Sequence, residues 1–329
     1  QIARWRRALQ YGEQARLNPD DAGQHRARMR YQQSDIDAWH RDGGVLIERF
    51  FTEDEVQAVH DDFVAVFDRR AGADSAMVKK APGEIGRFNE AQFNTFAAIP
   101  FDCSPALNLI GVHPELVRFA RAALETERVH LYQCQAWAKF TGDADYDQPL
   151  HTDFANHTLT VPAEDARDNS ITILCYFTDV TEALGPMHYV TRTDSERVTG
   201  PEAQFRGDPA LQEKLAPCER SSAAPAGSIF PYSIDVYHRG TNLTAPGGHR
   251  FAVMACFKRA DNDAIGYHAW PYHHTQPWAR VFEHATPDQL SCFGVHPPGH
   301  PFWTPVTLAR AAARYPGWDL TPYREEMQS

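Results

Sequence analysis

A succession of short strand-like segments, separated by loops rich in Pro, Gly, Asp and Asn, most restricts how this chain can fold. The segments are rich in β-branched and aromatic residues, and few helix signals lie between them. Strands that follow one another without intervening helices build antiparallel sheets rather than a parallel α/β sheet. We therefore predict a mainly β fold with helical additions, whose core is an antiparallel barrel or jelly roll. The predicted strands span residues 129–140, 171–177, 187–191, 228–232 and 250–258.

Helical sequence precedes this β region. Ser34 is placed to cap a short helix that ends at Gly43, and Thr52 with Glu55 forms a capping box for a second helix. Apolar residues recur after the box at spacings of three and four, which predicts one buried face on the second helix. Residues 45–47, between the two helices, resemble a short strand.

Three parts of the chain are expected to form one structural domain. Residues 1–127 are predicted to be an N-terminal helical region that packs on the barrel, and residues 128–259 the catalytic core. Residues 260–329 form a C-terminal extension rich in aromatic residues, His and Pro, with a predicted helix over residues 305–315.

Charge and cysteine content limit the classes of function. Forty-three acidic residues against 32 Lys and Arg give a net charge of −11, which repels a phosphate backbone and argues against nucleic-acid binding. The six cysteines form no C-x-x-C pair, so a reducing, cytoplasmic setting fits better than a disulfide framework. No apolar run approaches the roughly 20 residues that span a bilayer, so no membrane partner is expected. The expected partner is a small-molecule substrate, and the sequence leaves the oligomeric state open.

The motif His-x-Asp, a common source of metal ligands, occurs as His40-Arg-Asp42, His60-Asp-Asp62 and His151-Thr-Asp153. The first two copies lie in or at the ends of predicted helices, where residues two apart point away from each other. The third copy follows a predicted strand, and in an extended chain residues i and i+2 lie on the same side. Of the three copies, His151 and Asp153 are therefore the candidate metal ligands.

A second histidine and an arginine follow on later strands. His238 comes after the predicted strand at 228–232, and Arg250 opens the last predicted strand. Two histidines and one carboxylate leave three positions of Fe(II) open, as a bidentate cofactor and O2 require. A guanidinium at the bottom of the barrel can hold a carboxylate through two hydrogen bonds.

The motifs occur in a recognisable order. The order is His151-Thr-Asp153, Gly185-Pro-Met-His-Tyr-Val190, Ala226-Gly-Ser-Ile-Phe230, His238 and Arg250, after an opening at Trp39–Ile47 and Thr52–Glu55. This ordered set, which covers about residues 34–258, resembles the phytanoyl-CoA dioxygenase family, which includes ectoine hydroxylase-like enzymes. The resemblance implies a double-stranded β-helix of the jelly-roll, cupin-like type, with Fe(II), 2-oxoglutarate and O2 as its cofactors.

The resemblance also implies roles for individual residues. The iron ligands and catalytic residues would be His151, Asp153 and His238, and Arg250 would bind the distal carboxylate of 2-oxoglutarate. In halogenases related to the family a small residue replaces the carboxylate ligand. The retained aspartate therefore favours hydroxylation, or another oxidation such as desaturation or ring closure.

One expected cofactor contact departs from the family pattern, and a second one has an alternative interpretation. A hydroxyl soon after the distal histidine usually assists the arginine, but the position two beyond His238 is Gly240. We therefore expect the Thr241 hydroxyl to assist Arg250 instead. Gln133 matches a family position that reaches the other end of 2-oxoglutarate, and an outward-facing strand glutamine is the alternative.

The substrate side rests on three residues. Trp137 and Phe154 are expected to form an apolar substrate wall and Asn156 to line the mouth of the site, with core packing and loop capping as the alternatives. The predicted function is hydroxylation, or another oxidation, of an aliphatic C–H bond in a small molecule, with succinate and CO2 as co-products. A cupin-like hydrolase or isomerase using another metal, and a non-catalytic jelly-roll binding module, remain the rival hypotheses.

Overall fold

The computed structural model describes residues 30–67, 96–142, 147–153, 157–158, 170–200, 209–266 and 277–327. Phe154 and Asn156 lie outside the described residues. The described helices are α1 (Gln33–Asp42), α2 (Glu53–Phe67), α3 (Pro105–Leu109), α4 (Pro114–Ala123), α5 (Arg192–Thr199), α6 (Pro209–Leu215), α7 (Ala279–Phe282), α8 (Pro287–Ser291), α9 (Pro305–Arg314) and α10 (Thr321–Glu325). The strands are β1 (Phe96–Ala98), β2 (Val129–Phe140), β3 (Ile171–Tyr176), β4 (Met187–Val190), β5 (Arg220–Ser221), β6 (Ile229–Ser233), β7 (Tyr237–Gly240) and β8 (His249–Arg259).

The strands form two antiparallel sheets. The large sheet has the order β1-β2-β8-β3-β6, and the small sheet has the order β5-β4-β7. The prediction of an antiparallel β core with helical additions is confirmed, and the five predicted strands appear as β2, β3, β4, β6 and β8. Strand β7, which carries His238, was not predicted, because its four residues lack a clear alternation of apolar and polar side chains.

The two faces of the large sheet have different partners. Since side chains alternate along a strand, β2 directs Ala136 and Ala138 into the core formed with the helices and Trp137 towards the small sheet. The two sheets pack on each other, as the rings of Tyr189 in β4 and Phe230 in β6 show, with centroids 4.4 Å apart. The space between the sheets is therefore lined by side chains from both.

One hydrophobic core joins the three parts of the chain. It contains residues of α2 and α4, the outer face of the large sheet, and Val281 and Leu290 from the C-terminal extension. The helix predicted at residues 305–315 is confirmed as α9, which ends at Arg314. In the described ranges, no helix has the length and apolar character needed to cross a membrane.

The N-terminal helices mostly follow the predicted pattern. The capping box is confirmed, because Thr52 N donates to Glu55 Oε2 (2.9 Å) and Glu55 N donates to Thr52 Oγ1 (3.3 Å). Helix α1 begins one residue before Ser34, so the prediction of Ser34 as its cap is wrong; Gln32 N instead donates to Asp35 Oδ2 at 2.7 Å. Residues 45–47 lie along β6 through isolated bridges rather than as a strand.

Gly43 ends α1 at a point where only glycine fits. Its φ of 74° is left-handed, and a Cβ atom there would lie 2.4 Å from Val236 Cγ2. This close approach lets the chain turn from α1 directly onto β6, where Ser233 N donates to Gly43 O at 2.7 Å. The helix end and the large sheet are thereby held together.

A buried ion cluster connects α2 to the start of the described chain and to α4. The Glu55 carboxylate accepts hydrogen bonds from Arg30 Nη1 at 2.6 Å and from His113 Nε2 at 3.1 Å. Burial by itself would raise the pKa of Glu55, but the hydrogen bonds from His113 and Arg30 outweigh it and hold the pKa far below its usual value. Glu55 is therefore charged in the folded protein at neutral pH.

We predict that Glu55→Gln lowers the free energy of unfolding by about 2–3 kcal/mol at pH 7, because it leaves the partners of a buried carboxylate uncompensated. A depressed folded-state pKa stabilises the protein above the unfolded value of about 4.3, and this contribution is lost as the pH falls further. The gap between wild type and variant should therefore shrink below pH about 4. Urea unfolding across this pH range measures it.

The matched control is Glu53→Gln, which removes a carboxylate from the exposed side of the same helix. Its effect should stay within about 0.5 kcal/mol. Equal effects of the two substitutions would contradict the stabilising role of the Glu55 cluster.

Candidate active site

The backbone brings His151 and His238 together. His151 N donates to His238 O at 3.0 Å, and His238 N donates to His151 O at 2.9 Å, so the two residues form a reciprocal antiparallel bridge. Residues paired in this way direct their side chains to the same face of a sheet. Asp153 follows two residues after His151 and is held by its own N–H, which donates to Ile234 O at 3.2 Å. All three side chains thus enter the space between the two sheets.

The three side chains form a compact donor set. His151 Nε2 lies 3.9 Å from Asp153 Oδ1, and His238 Nε2 lies 3.6 Å from Asp153 Oδ2. The three ligand atoms lie within 4.8 Å of one another, and no other His, Cys, Asp or Glu cluster of this kind occurs among the described residues. Two imidazoles and one carboxylate at this spacing fit a divalent ion that keeps open coordination positions.

Hydrogen bonds to the backbone orient both imidazoles. His151 Nδ1 lies 2.9 Å from Pro149 O, and His238 Nδ1 lies 2.9 Å from Val236 O. A carbonyl oxygen only accepts hydrogen bonds, so each Nδ1 carries a proton, and Nε2 is the nitrogen left to coordinate a metal. The two Nε2 atoms are therefore presented beside Asp153, as metal coordination requires.

The protonation states of the site also suit a metal. Burial and the neighbouring His238 lower the pKa of His151 to about 4. Burial would raise the pKa of Asp153, but His238 and the other nearby histidines outweigh it and the pKa is lowered. At neutral pH the site therefore offers a neutral imidazole at His151 and a charged carboxylate at Asp153.

Tyr232 contacts the carboxylate of Asp153. Its hydroxyl donates to Asp153 Oδ2 at 3.4 Å, and its ring centroid lies 4.7 Å from that of His238. Strand β6 places Tyr232 there, and its side chain is fully buried. Sequence reasoning did not identify this residue, although it ends one of the predicted strands.

The other two His-x-Asp copies have structural roles. His40 Nε2 lies 2.8 Å from Ala123 O. Asp62 accepts hydrogen bonds from Ser104 Oγ at 2.7 Å and from Leu107 N at 3.0 Å, at the start of α3. Neither copy belongs to a group of donor atoms that could share one ion within the described residues.

Arg250 lies deeper in the space between the sheets. Its guanidinium stands over the Trp137 ring at 5.0 Å from the centroid, and Nη1 donates to Gly185 O. The side chain is 2% exposed, and its Nε has no hydrogen-bond partner in the described part of the chain. A buried guanidinium with an unused donor requires an acceptor, and a ligand carboxylate supplies one.

The other two predicted cofactor residues lie directly after β7 and on β2. The Thr241 hydroxyl donates to Pro186 O at 2.6 Å, one residue beyond the carbonyl that accepts from Arg250. Gln133 lies on β2, where its side-chain amide donates to Gln135.

Gly240 is covered by Gln148. Gly240 N donates to Gln148 Oε1 at 2.7 Å, and a Cβ atom at Gly240 would lie 3.1 Å from the same oxygen. The amide of Gln148 therefore fills the space that a side chain at position 240 would occupy, and no hydroxyl is present there.

Trp137, the predicted substrate wall, contacts two cations. Its ring centroid is 5.0 Å from Arg250 Cζ and 5.1 Å from Lys139 Nζ. Lys139 was not predicted as a site residue, yet its presence on the inner face follows from its spacing of two from Trp137.

Comparison with known proteins adds a family and a fold. The family model described as phytanoyl-CoA dioxygenase matches residues 39–250. No curated protein matches the chain significantly in sequence.

Two solved structures share the fold. EctD from S. alaskensis, solved with 2-oxoglutarate and 5-hydroxyectoine, is 18% identical over 75% of this chain and 83% of its own, with a TM-score of 0.52. AviO1 from Streptomyces viridochromogenes Tue57 is 15% identical over 70% of this chain and 96% of its own, with a TM-score of 0.50. The chain belongs to the phytanoyl-CoA dioxygenase family, and it is a non-haem iron, 2-oxoglutarate-dependent dioxygenase.

Proposed function

We propose that this enzyme hydroxylates, or otherwise oxidises, an aliphatic C–H bond of a small-molecule substrate. The observation that carries the proposal is the combination of a two-histidine, one-carboxylate donor set with a buried guanidinium deeper between the same two sheets. A hydrolase or isomerase built on the same three ligands would leave Arg250 without a partner. The two sheets correspond, in this proposal, to those of a double-stranded β-helix.

His151, Asp153 and His238 hold Fe(II) in this proposal. Bound there with 2-oxoglutarate and O2, Fe(II) supplies an oxidant for C–H bonds while the cofactor is converted to succinate and CO2. The protein orients the donors through Pro149 O and Val236 O, and Tyr232 holds the carboxylate. Burial of Asp153 and His238 limits the access of water.

Arg250, Thr241 and Gln133 bind 2-oxoglutarate in the proposed complex. Arg250 Nε has no hydrogen-bond partner among the described residues, and the distal carboxylate is the acceptor that the proposal assigns to it. Residues two apart on one strand face are about 7 Å apart. Gly240 therefore lies about 7 Å from His238 along β7, a distance similar to the length of 2-oxoglutarate. Gln133, further along β2, is the residue that the proposal assigns to the opposite end of 2-oxoglutarate.

The substrate binds on the remaining side of the iron in the proposed complex. Trp137, Phe154 and Asn156 are the proposed contacts, and the retained Asp153 favours oxidation of the substrate over halogenation.

Anaerobic addition of Fe(II) and then 2-oxoglutarate to the purified protein tests this function. The chelate should develop a weak visible charge-transfer band, and admission of O2 should release succinate in proportion to the cofactor consumed. Absence of both the band and succinate would show that the proposed function is wrong. Screening candidate metabolites for faster succinate release would then identify the substrate.

We predict that His151→Ala and His238→Ala each weaken Fe(II) binding by about 100-fold or more, since a ligand is lost outright. Bound iron is measured by metal analysis after equilibrium dialysis under anaerobic conditions. His60→Ala, which alters a helical His-x-Asp copy, is the control and should keep wild-type iron content. Full iron retention by both ligand variants would show that His151 and His238 are not the iron ligands.

Arg250→Met should weaken 2-oxoglutarate binding by roughly tenfold to 100-fold while the protein keeps its iron, because a charge-assisted hydrogen bond is lost. Arg259→Met is the matched control at the far end of β8, since that guanidinium pairs with Asp261 (3.2 Å). Anaerobic calorimetry gives both affinities. Equal affinities of Arg250→Met and wild type would contradict the role of Arg250.

A further inference from the structure

Lys139 is a second buried cation directly opposite Arg250. The two residues are register partners in the antiparallel pair formed by β2 and β8. Lys139 is 5% exposed and Arg250 is 2% exposed. Like charges directly opposite each other on one sheet face repel, and removing both from water adds to the cost. An arrangement of this kind persists only where something else compensates it.

The described residues provide little compensation. Lys139 Nζ contacts the backbone carbonyl of Thr241 at 3.4 Å, a long hydrogen bond. The Trp137 ring contacts both cations, and such cation–π contacts offset only part of the cost of burying a charge. Neither Lys139 nor Arg250 forms an ion pair with a carboxylate in the described ranges. Among the described residues, this pair of positive charges therefore has no carboxylate in direct contact.

The electrostatics of Lys139 reflect this imbalance. Burial and the charge of Arg250 lower its pKa to about 7, and Asp147 offsets them only in part. Asp147 is itself half exposed and is shared with Arg239. A bound anion between Lys139 and Arg250 would relieve the repulsion and favour the protonated lysine.

Lys139 also lies near the position where the hydroxyl expected in the cofactor site is missing. Gly240 provides no hydroxyl, and the amide of Gln148 covers it. The ammonium of Lys139 reaches the carbonyl of Thr241, the next residue of that strand end. The Thr241 hydroxyl already donates to Pro186 O.

We propose that Lys139 and Arg250 form a paired-cation site for the distal carboxylate of 2-oxoglutarate, with Lys139 in place of the missing hydroxyl at position 240. This inference rests on the proposed function, because it assumes that the cofactor binds between the two sheets. It assigns Lys139 a role in cofactor binding and moves Trp137, whose ring contacts both cations, from the substrate side to the distal end of the cofactor site.

The test compares two ligands that differ only at the distal end. Anaerobic calorimetry on the Fe(II) protein measures the affinity for 2-oxoglutarate and for 2-oxopentanoate, which has a methyl group in place of the distal carboxylate. Lys139→Met should weaken 2-oxoglutarate binding by roughly tenfold to 100-fold and leave 2-oxopentanoate binding unchanged. Lys139→Arg, which keeps a positive charge, should restore most of the difference in affinity between 2-oxoglutarate and 2-oxopentanoate.

The matched control is Lys258→Met. Lys258 is another buried lysine of β8, but its Nζ donates to Asn262 O at 2.7 Å and to Ile265 O at 2.6 Å. This control should bind both ligands as wild type does. A merely structural role for Lys139 would lower the Tm of the Lys139→Met protein without ligand, whereas removal of an uncompensated buried charge should leave the Tm unchanged or raise it.

Proton uptake gives a second measurement on folded wild type. Among the described residues, the charged or titratable groups around Lys139 are Arg250 from β8, Asp147 before His151, and Tyr176, which acts on Arg250 from β3. Binding of 2-oxoglutarate at pH 8 should take up a proton at Lys139, seen as a dependence of the measured enthalpy on the buffer. 2-Oxopentanoate should show no such uptake.

Each outcome has a distinct meaning. Unchanged 2-oxoglutarate affinity in Lys139→Met, or equal losses for both ligands, would overturn the paired-cation site and leave the proposed function standing. Failure of the wild-type Fe(II) protein to bind 2-oxoglutarate would overturn the proposed function and the paired-cation site together. If Lys139→Met does not fold, Lys139→Gln and the proton-uptake measurement decide the question.

Discussion

The reciprocal pair of backbone hydrogen bonds between His151 and His238 is the interaction on which the site depends. It joins the segment before Asp153 to β7 and sets the register in which both imidazoles face the same side. Because each ring is also held by a carbonyl two residues earlier, the donor atoms are oriented before any ion binds. A metal site prepared in this way loses little conformational entropy on binding.

The interior between the sheets has two regions, one of which suits a bound cation and the other a bound anion. Near Asp153 a buried carboxylate is flanked by histidines and a tyrosine hydroxyl, which suits a cation. Deeper in, Lys139 and Arg250 both contact the Trp137 ring and form no ion pair with a carboxylate among the described residues, which suits an anion. A dicarboxylate that chelates the metal at one end and presents a carboxylate at the other satisfies both regions.

Sequence patterns predicted much of this arrangement where the physical cause is local. Capping at Thr52 and Glu55 and the alternation along β2 and β8 depend on neighbouring residues, and the structure contains these elements. The patterns also separated His151 from the helical His-x-Asp copies, since strand and helix place residues two apart differently. They did not reveal β7 as a strand, because its four residues are held by pairing with β4 rather than by their own alternation.

The sequence by itself thus determined five of the segments that become strands, the N-terminal cap of the first long helix and the types of metal ligand available. Only the tertiary structure decided that Lys139 lies opposite Arg250, that Tyr232 contacts Asp153 and that Gln148 covers Gly240. These contacts join strands and loops far apart in the chain. They depend on strand register, and since a shift of one residue would turn each side chain to the opposite face, no local pattern specifies them.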